Sequence, residues 1–134
     1  MRATTAIGLA CAIALSGCGS DAGTQVKAKV EQFVTAARSH DYRTICNQVL
    51  APSLVSRLTA AGVDCEQAMQ VGLGGVQEPT LSIGKVVVSG KTATVITLTG
   101  AKGQISSIDA IELVKTDHGW RVASLGSPAP RTKQ

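Results

Sequence analysis

Aromatic side chains are nearly absent from this chain. Phe33, Tyr42 and Trp120 are the whole complement of 134 residues. Proteins that hold single-stranded nucleic acid without sequence preference stack bases on aromatic rings along a basic groove. The rings are missing here, and the cations are scattered: Lys27, Lys29, Arg38, Arg43, Arg57, Lys85, Lys91, Lys102, Lys115 and Arg121 form no run. A net charge of +4 spread in this way does not make a nucleic-acid interface. Histidine is equally scarce, with only His40 and His118, and no Cys-x-x-Cys occurs. Zinc-type centres need several such ligands at short spacing, so no metal and no other cofactor is expected. There is no Gly-x-Ser-x-Gly elbow and no phosphate-binding loop. Gly72-Leu73-Gly74-Gly75 runs into a proline and a strand rather than a helix, which makes it a connection and not a nucleotide cradle.

What the chain does have is a distinctive beginning. In MRATTAIGLACAIALSGC, Arg2 precedes an acid-free run of apolar and small residues from Ala3 to Leu15, and Ser16-Gly17 follows. The layout is that of a secretory signal peptide over residues 1–17, too short to span a bilayer comfortably. Reading it as a buried helix instead puts Gly8, Gly17 and Gly19 in or beside that helix, each at about 1 kcal/mol relative to Ala. Leu15-Ser16-Gly17-Cys18 resembles the lipobox of bacterial lipoproteins. The resemblance implies a diacylglycerol thioether on Cys18, cleavage before it and acylation of the new amine. One acyl chain holds a protein to a membrane only marginally, whereas two or more anchor it stably. Residues 18–23 then read as the lipidated cysteine and a flexible tether, and the folded part lies at the outer face of the cell membrane.

Cysteine arithmetic follows from that address. Cys11 leaves with the signal peptide and Cys18 carries lipid. Cys46 and Cys65 remain, an even pair in a compartment where disulfides persist. A metal site lacks further ligands and a catalytic thiol needs one cysteine rather than two, so a Cys46–Cys65 disulfide is the expectation.

Residues 24–125 read as one α+β domain. Val26, Val30, Phe33, Val34 and Ala37 share one helical face, with Thr24 as its cap. Asp41 caps a second helix carrying Tyr42, Ile45, Cys46, Val49 and Leu50. Pro52 suits the first turn of a third, which stops at Gly62. Asp64 followed by Gln67 has the spacing of a capping box for a short fourth. From Thr80 the texture changes to strands: LSIGKVVVSG and KTATVITLTG form a hairpin around Ser89–Lys91, with a bulge at Gly84-Lys85. ISSIDAIELVKT and WRVASL follow, joined through Asp117-His118-Gly119, and Trp120 reads as a core plug. Residues 126–134 are expected to be a disordered tail.

Helices first and a meander after them predict N-terminal helices packed on a curved antiparallel sheet. The order resembles the nuclear-transport-factor-like (cystatin-like, SnoaL-like) cone fold. An amphipathic first helix, the step His40-Asp41-Tyr42 and a closing strand beginning Gly119-Trp120-Arg121-Val122 carry the resemblance. Small actinobacterial lipoproteins of unknown function with such a domain also have a cysteine pair in the helical half.

Enzymes of that superfamily place acids, His or Tyr inside the cone, and carrying this over residue by residue finds little. Asp41 has a capping role, His40 and His118 fall in turns, and Asp109 and Glu112 face opposite sides of one strand. Asp109, an acid in a strand with apolar residues in both phases, is the one candidate pocket residue, and no residue is assigned as catalytic. The expected function is a non-enzymatic, lipid-anchored binding or interaction module of the cell envelope. Its partner is an apolar ligand or an envelope protein, with binding through sheet residues such as Val86, Val95, Ile111 and Val122. The alternative is a small isomerase- or dehydratase-like enzyme on the same cone.

Overall fold

The first helix begins at a carboxylate. Asp21 sits in extended conformation and accepts a hydrogen bond from the Gly23 amide at 2.7 Å, opening α1 (Ala22–Arg38). The cap is therefore three residues earlier than Thr24, whose hydroxyl contacts the same carboxylate at 3.4 Å. The helix takes up the end of the expected tether, because a carboxylate accepts from amides of the first turn better than a hydroxyl does. The computed structural model describes residues 21–128. The predicted signal peptide, Cys18 and residues 129–134 lie outside them.

Asp41 caps the next element as expected, accepting from the Thr44 amide at 3.0 Å and the Thr44 hydroxyl at 2.7 Å. That element is not one regular helix. A single turn, α2 (Tyr42–Thr44), passes into a π-helical turn over Ile45–Val49, closed by the Leu50 amide on the Ile45 carbonyl at 2.9 Å. The wider turn buries Ile45, Cys46, Val49 and Leu50 together. Pro52 opens α3 (Pro52–Ala60) at its first turn, where its missing N–H leaves no bond unmade. Gly62, at φ +76°, ends it. Asp64 accepts from the Gln67 amide at 2.9 Å and starts α4, which runs from Cys65 to Leu73, one turn beyond expectation.

The strands form a meander in the order β1-β2-β3-β4, each pair antiparallel. They are β1 (Thr80–Ser89), β2 (Thr92–Gly100), β3 (Ser107–Thr116) and β4 (Gly119–Pro128). Gly90, at φ +58°, makes the tight turn of the first hairpin. The β1–β2 register shifts between Ile83 and Val86, which is the expected bulge at Gly84-Lys85. The expected tail starts too early: β4 continues with Ser127 opposite Ala110 and Pro128 opposite Asp109. Two register shifts in β4, opposite Ala110–Glu112 and Glu112–Leu113, and the positive φ of Gly126 carry the strand that far. Proline is tolerated at this end because β4 is an edge strand and Pro128 is its last residue.

One face of the sheet takes α1 and the π-turn. Val26 and Val30 of α1, Ile45, Val49 and Leu50 of the turn, Val95 of β2, Ile111 and Leu113 of β3, and Trp120 and Val122 of β4 form the buried core. The far edge of β4 is covered in part by the segment after the π-turn, with Leu50 bridging Val122 in parallel and the Ala51 amide on the Val122 carbonyl at 2.7 Å. The Cys46–Cys65 disulfide ties the π-turn to the start of α4 across a Cα–Cα distance of 6.0 Å, so the helical half is stapled to itself as the pairing predicts. Helices on one face of a curved antiparallel sheet are the α+β architecture the sequence called for.

Candidate functional site

The inward face of the two central strands changes chemistry along its length. Successive cross-strand neighbours are Ala93 with Leu113, Val95 with Ile111, Thr97 with Asp109, and Thr99 with Ser107. The first two pairs are buried and apolar. The last two are hydroxyl-bearing or acidic, and they lie where β2 ends and β3 begins. Strand alternation puts all eight side chains on one face; of the polar four, Thr97 is buried, Thr99 and Asp109 are half-buried, and Ser107 is exposed.

Over this polar end α1 and α4 leave a space against the sheet. Val26 and Val30, in the first half of α1, are fully buried, whereas Phe33 and Val34, further along, are only half-buried. The resulting cavity has a volume of about 200 Å³. Phe33, Val34 and Ala37 of α1, Leu73 of α4, Val76, and Leu81 of β1 give it apolar walls. Thr99, Ser107 and Gln104 supply polar groups, and Ile105, almost wholly exposed at 97 %, stands in the connection at its rim. An apolar cavity of roughly 150 Å³ holds a benzene molecule, so this one has room for a ligand of about that size or somewhat larger.

Asp109 stands one hydrogen bond behind the cavity wall. The Ser107 hydroxyl donates to its Oδ2 at 2.6 Å and the Thr99 hydroxyl donates to the same oxygen at 2.7 Å. Thr97, 1 % exposed, places its hydroxyl 3.3 Å from the Asp109 carbonyl oxygen. The bonds from Ser107 and then Thr99 hold the Asp109 carboxyl below the ordinary carboxylate range, outweighing the opposing effect of its partial burial. At neutral pH the group is a carboxylate, so it has no proton to give. The sequence marked Asp109 as the pocket candidate; it is not in the cavity wall and is linked to that wall through the Thr99 and Ser107 hydroxyls.

The remaining predicted residues go elsewhere. His40, at φ +55°, is exposed in the turn after α1, with Nδ1 2.9 Å from the Tyr42 hydroxyl. It borders a separate hollow with Arg38, Glu78 and Pro79. His118 is exposed in the β3–β4 turn, beside a third hollow that includes Lys29 and Trp120. Cys46 and Cys65 are joined and structural. Val95, Ile111 and Val122, expected to contact a ligand, are 0–4 % exposed and consumed by packing against α1 and the π-turn. Val86 is only partly buried against that core and is not in the cavity wall either. Sequence reasoning missed the real wall, Phe33, Val34, Leu73, Leu81, Thr99 and Ser107. The signal was there in part: Thr97 and Thr99 share a phase in TVITLT, as do Ser107 and Asp109 in SIDAIEL.

A second polar cluster lies at the edge of β4. Lys29 Nζ donates to the Gln48 carbonyl at 3.0 Å, and Arg121 Nη1 donates to the neighbouring Asn47 carbonyl at 2.9 Å. Partial burial, and secondarily the Arg121 charge, lower the Lys29 pKa. Both cations sit on carbonyls at the end of the π-turn, which explains them as caps of that turn. Among the described residues, no group of three or more His, Cys, Asp or Glu is placed to hold a metal ion.

No family model matches the chain, and no curated protein matches it. Solved structures do. A candidate dehydratase of the NTF2-like family from Streptomyces avermitilis superposes with a TM-score of 0.54 at 16 % identity, covering 75 % of this chain and 90 % of its own. An NTF2-like protein of unknown function from Silicibacter pomeroyi gives 0.53 at 16 % identity, over 75 % and 88 %. A candidate NTF2-like transpeptidase from Campylobacter jejuni gives 0.52 at 10 % identity, over 75 % and 98 %. The fold is that of the NTF2-like proteins. The NTF2-like neighbours differ in what they are named for, so the shared fold carries no single activity, and function has to be argued from this chain's own site.

Proposed function

We propose that this chain is a non-enzymatic binding module, an NTF2-like domain that takes a small, largely apolar molecule into the cavity between α1, α4 and the β1–β2 end of the sheet. We further propose that a lipid on Cys18 holds it at the extracytoplasmic face of the membrane. The observation that carries the binding reading is the composition of the cavity. Its walls are apolar, and the acid at its polar end is ionised, doubly hydrogen-bonded and set behind Thr99 and Ser107. Proton-transfer chemistry needs a group whose pKa lies near the working pH and within reach of the substrate. Asp109 is held in the opposite direction, and His40 and His118 border other hollows. The anchoring reading rests on the lipobox resemblance at Leu15–Cys18.

The test is native mass spectrometry of the full-length chain released gently from membranes of a bacterial host. A co-purifying small apolar molecule, lost when Leu81→Arg places a charge in the cavity wall, is the expected result. Turnover of a hydroxylated substrate that disappears in Asp109→Asn with the fold intact would instead establish the dehydratase- or isomerase-like alternative.

A further inference from the structure

The polar end of the cavity has a definite hydrogen-bond sense, which follows from counting protons. Thr99 and Ser107 each own one hydroxyl hydrogen. Both hydroxyls lie within 2.7 Å of the same carboxylate oxygen, Asp109 Oδ2, and their own oxygens are 3.0 Å apart. Were Thr99 to donate to Ser107 instead, its oxygen would face a charged oxygen at 2.7 Å with no proton between them, which is repulsive. Each hydroxyl therefore donates to Oδ2, the arrangement in which both bonds are charge-assisted. The 3.0 Å contact between the two hydroxyl oxygens then carries no proton of its own. Lone pairs of both oxygens, backed by a negative charge, are what remains to be offered.

We infer that the cavity selects an amphiphile whose head is a cationic hydrogen-bond donor, an alkylammonium-type group set between Thr99 Oγ1 and Ser107 Oγ with its apolar tail against Phe33 and Leu81, and that it rejects carboxylates. The inference deepens the binding-module reading and rests on it. A carboxylate head brings only acceptors to a pair of acceptors and a second negative charge to Asp109. An alcohol can donate one bond but gains nothing from that charge. The cations near the rim do not reverse this preference. Lys102 is paired with Glu78 at 3.4 Å, and Arg38 directs its Nε to the Pro79 carbonyl at 2.9 Å and is not in the cavity wall.

The experiment compares three probes of matched tail, hexylammonium, hexan-1-ol and hexanoate, on the full-length chain in lipid nanodiscs. Empty nanodiscs serve as the partition control. Binding is read from the melting transition of Trp120 fluorescence, which reports unfolding from the buried core because Trp120 is the single tryptophan. The expected order is ammonium, then alcohol, then carboxylate, with hexylammonium at least tenfold tighter than hexanoate. In Asp109→Asn the advantage of ammonium over alcohol should vanish while alcohol binding persists. Equal binding of all three, or tightest binding of hexanoate, overturns the head-group inference and leaves the binding module standing. No binding by any of them, with the fold intact, overturns both.

Discussion

Thr99 and Asp109 are joined diagonally across the β2–β3 ladder. The direct neighbour of Thr99 is Ser107, yet its hydroxyl reaches past that residue to Asp109 Oδ2 at 2.7 Å, where the Ser107 hydroxyl also arrives. A carboxylate with two such donors is stabilised in its charged form, and this has consequences for stability as well as for binding.

Acid should unfold the protein partly through this group. Asp109, and likewise Asp41 with the Thr44 hydroxyl and then the Thr44 amide as donors, has its pKa lowered in the folded state. The unfolded chain, with carboxyls near about 3.9, then binds more protons in the acid range. Stability is therefore fully present above roughly pH 5 and is lost as pH falls through the folded-state pKa values. Melting temperatures measured between pH 7 and pH 3 should fall on acidification, and less steeply in Asp109→Asn. An identical acid limb in the variant would show that the two hydroxyl bonds contribute nothing.

The disulfide is expected to supply a large share of net stability. Cys46 and Cys65 are 19 positions apart, and closing a loop of about that length is worth about 3 kcal/mol in the chain-entropy account. A shift of about 4–8 °C per kcal/mol applies to domains of this size. Reduction, or Cys46→Ala with Cys65→Ala, should lower the melting temperature by ten degrees or more. Two freely alkylatable thiols in the purified, unreduced protein would remove the basis for this expectation.

Trp120 offers a separable test of packing and polarity. It is 2 % exposed, and its indole Nε1 has no hydrogen-bond partner among the described residues. Trp120→Ala opens a cavity and should cost about 3–5 kcal/mol. Trp120→Phe keeps one ring and removes a buried, unpaired donor, whose desolvation penalty is about 1–3 kcal/mol. Urea denaturation followed by circular dichroism should therefore place the Phe variant within about 1 kcal/mol of the parent chain.

The proposed anchor predicts a processing event. In a host with lipoprotein maturation, the product should begin at Cys18, partition into detergent and carry the mass of the added acyl chains. Cys18→Ser should leave an unlipidated precursor. A soluble parent product starting at another residue would rule the anchor out.

Local chemistry was enough to locate most elements of this fold. Asp41 and Asp64 cap helices because a carboxylate beside free amides is a short-range matter. Pro52 at a first helical turn, Gly62 and Gly90 at positive φ, and the bulge at Gly84-Lys85 are likewise set within a few residues. The helix-then-meander order and the even cysteine pair then sufficed to anticipate the α+β layout and the disulfide. The first cap was misplaced because Asp21 and Thr24 are both competent, and the tail was cut short because the pairing of Ser127 with Ala110 is a long-range contact. The site was legible only as Asp109. Which apolar residues are spent in the core and which face empty space depends on how the helices pack against the sheet. Val95 and Ile111 lie under α1 where it packs closely, while Phe33 and Val34 hang over the cavity. Register decided the rest: Thr99 falls beside Ser107 and within reach of Asp109 because β2 and β3 align in that one way, and a slip of one residue between the two strands would have put Thr99 on the opposite face from Ser107 and Asp109.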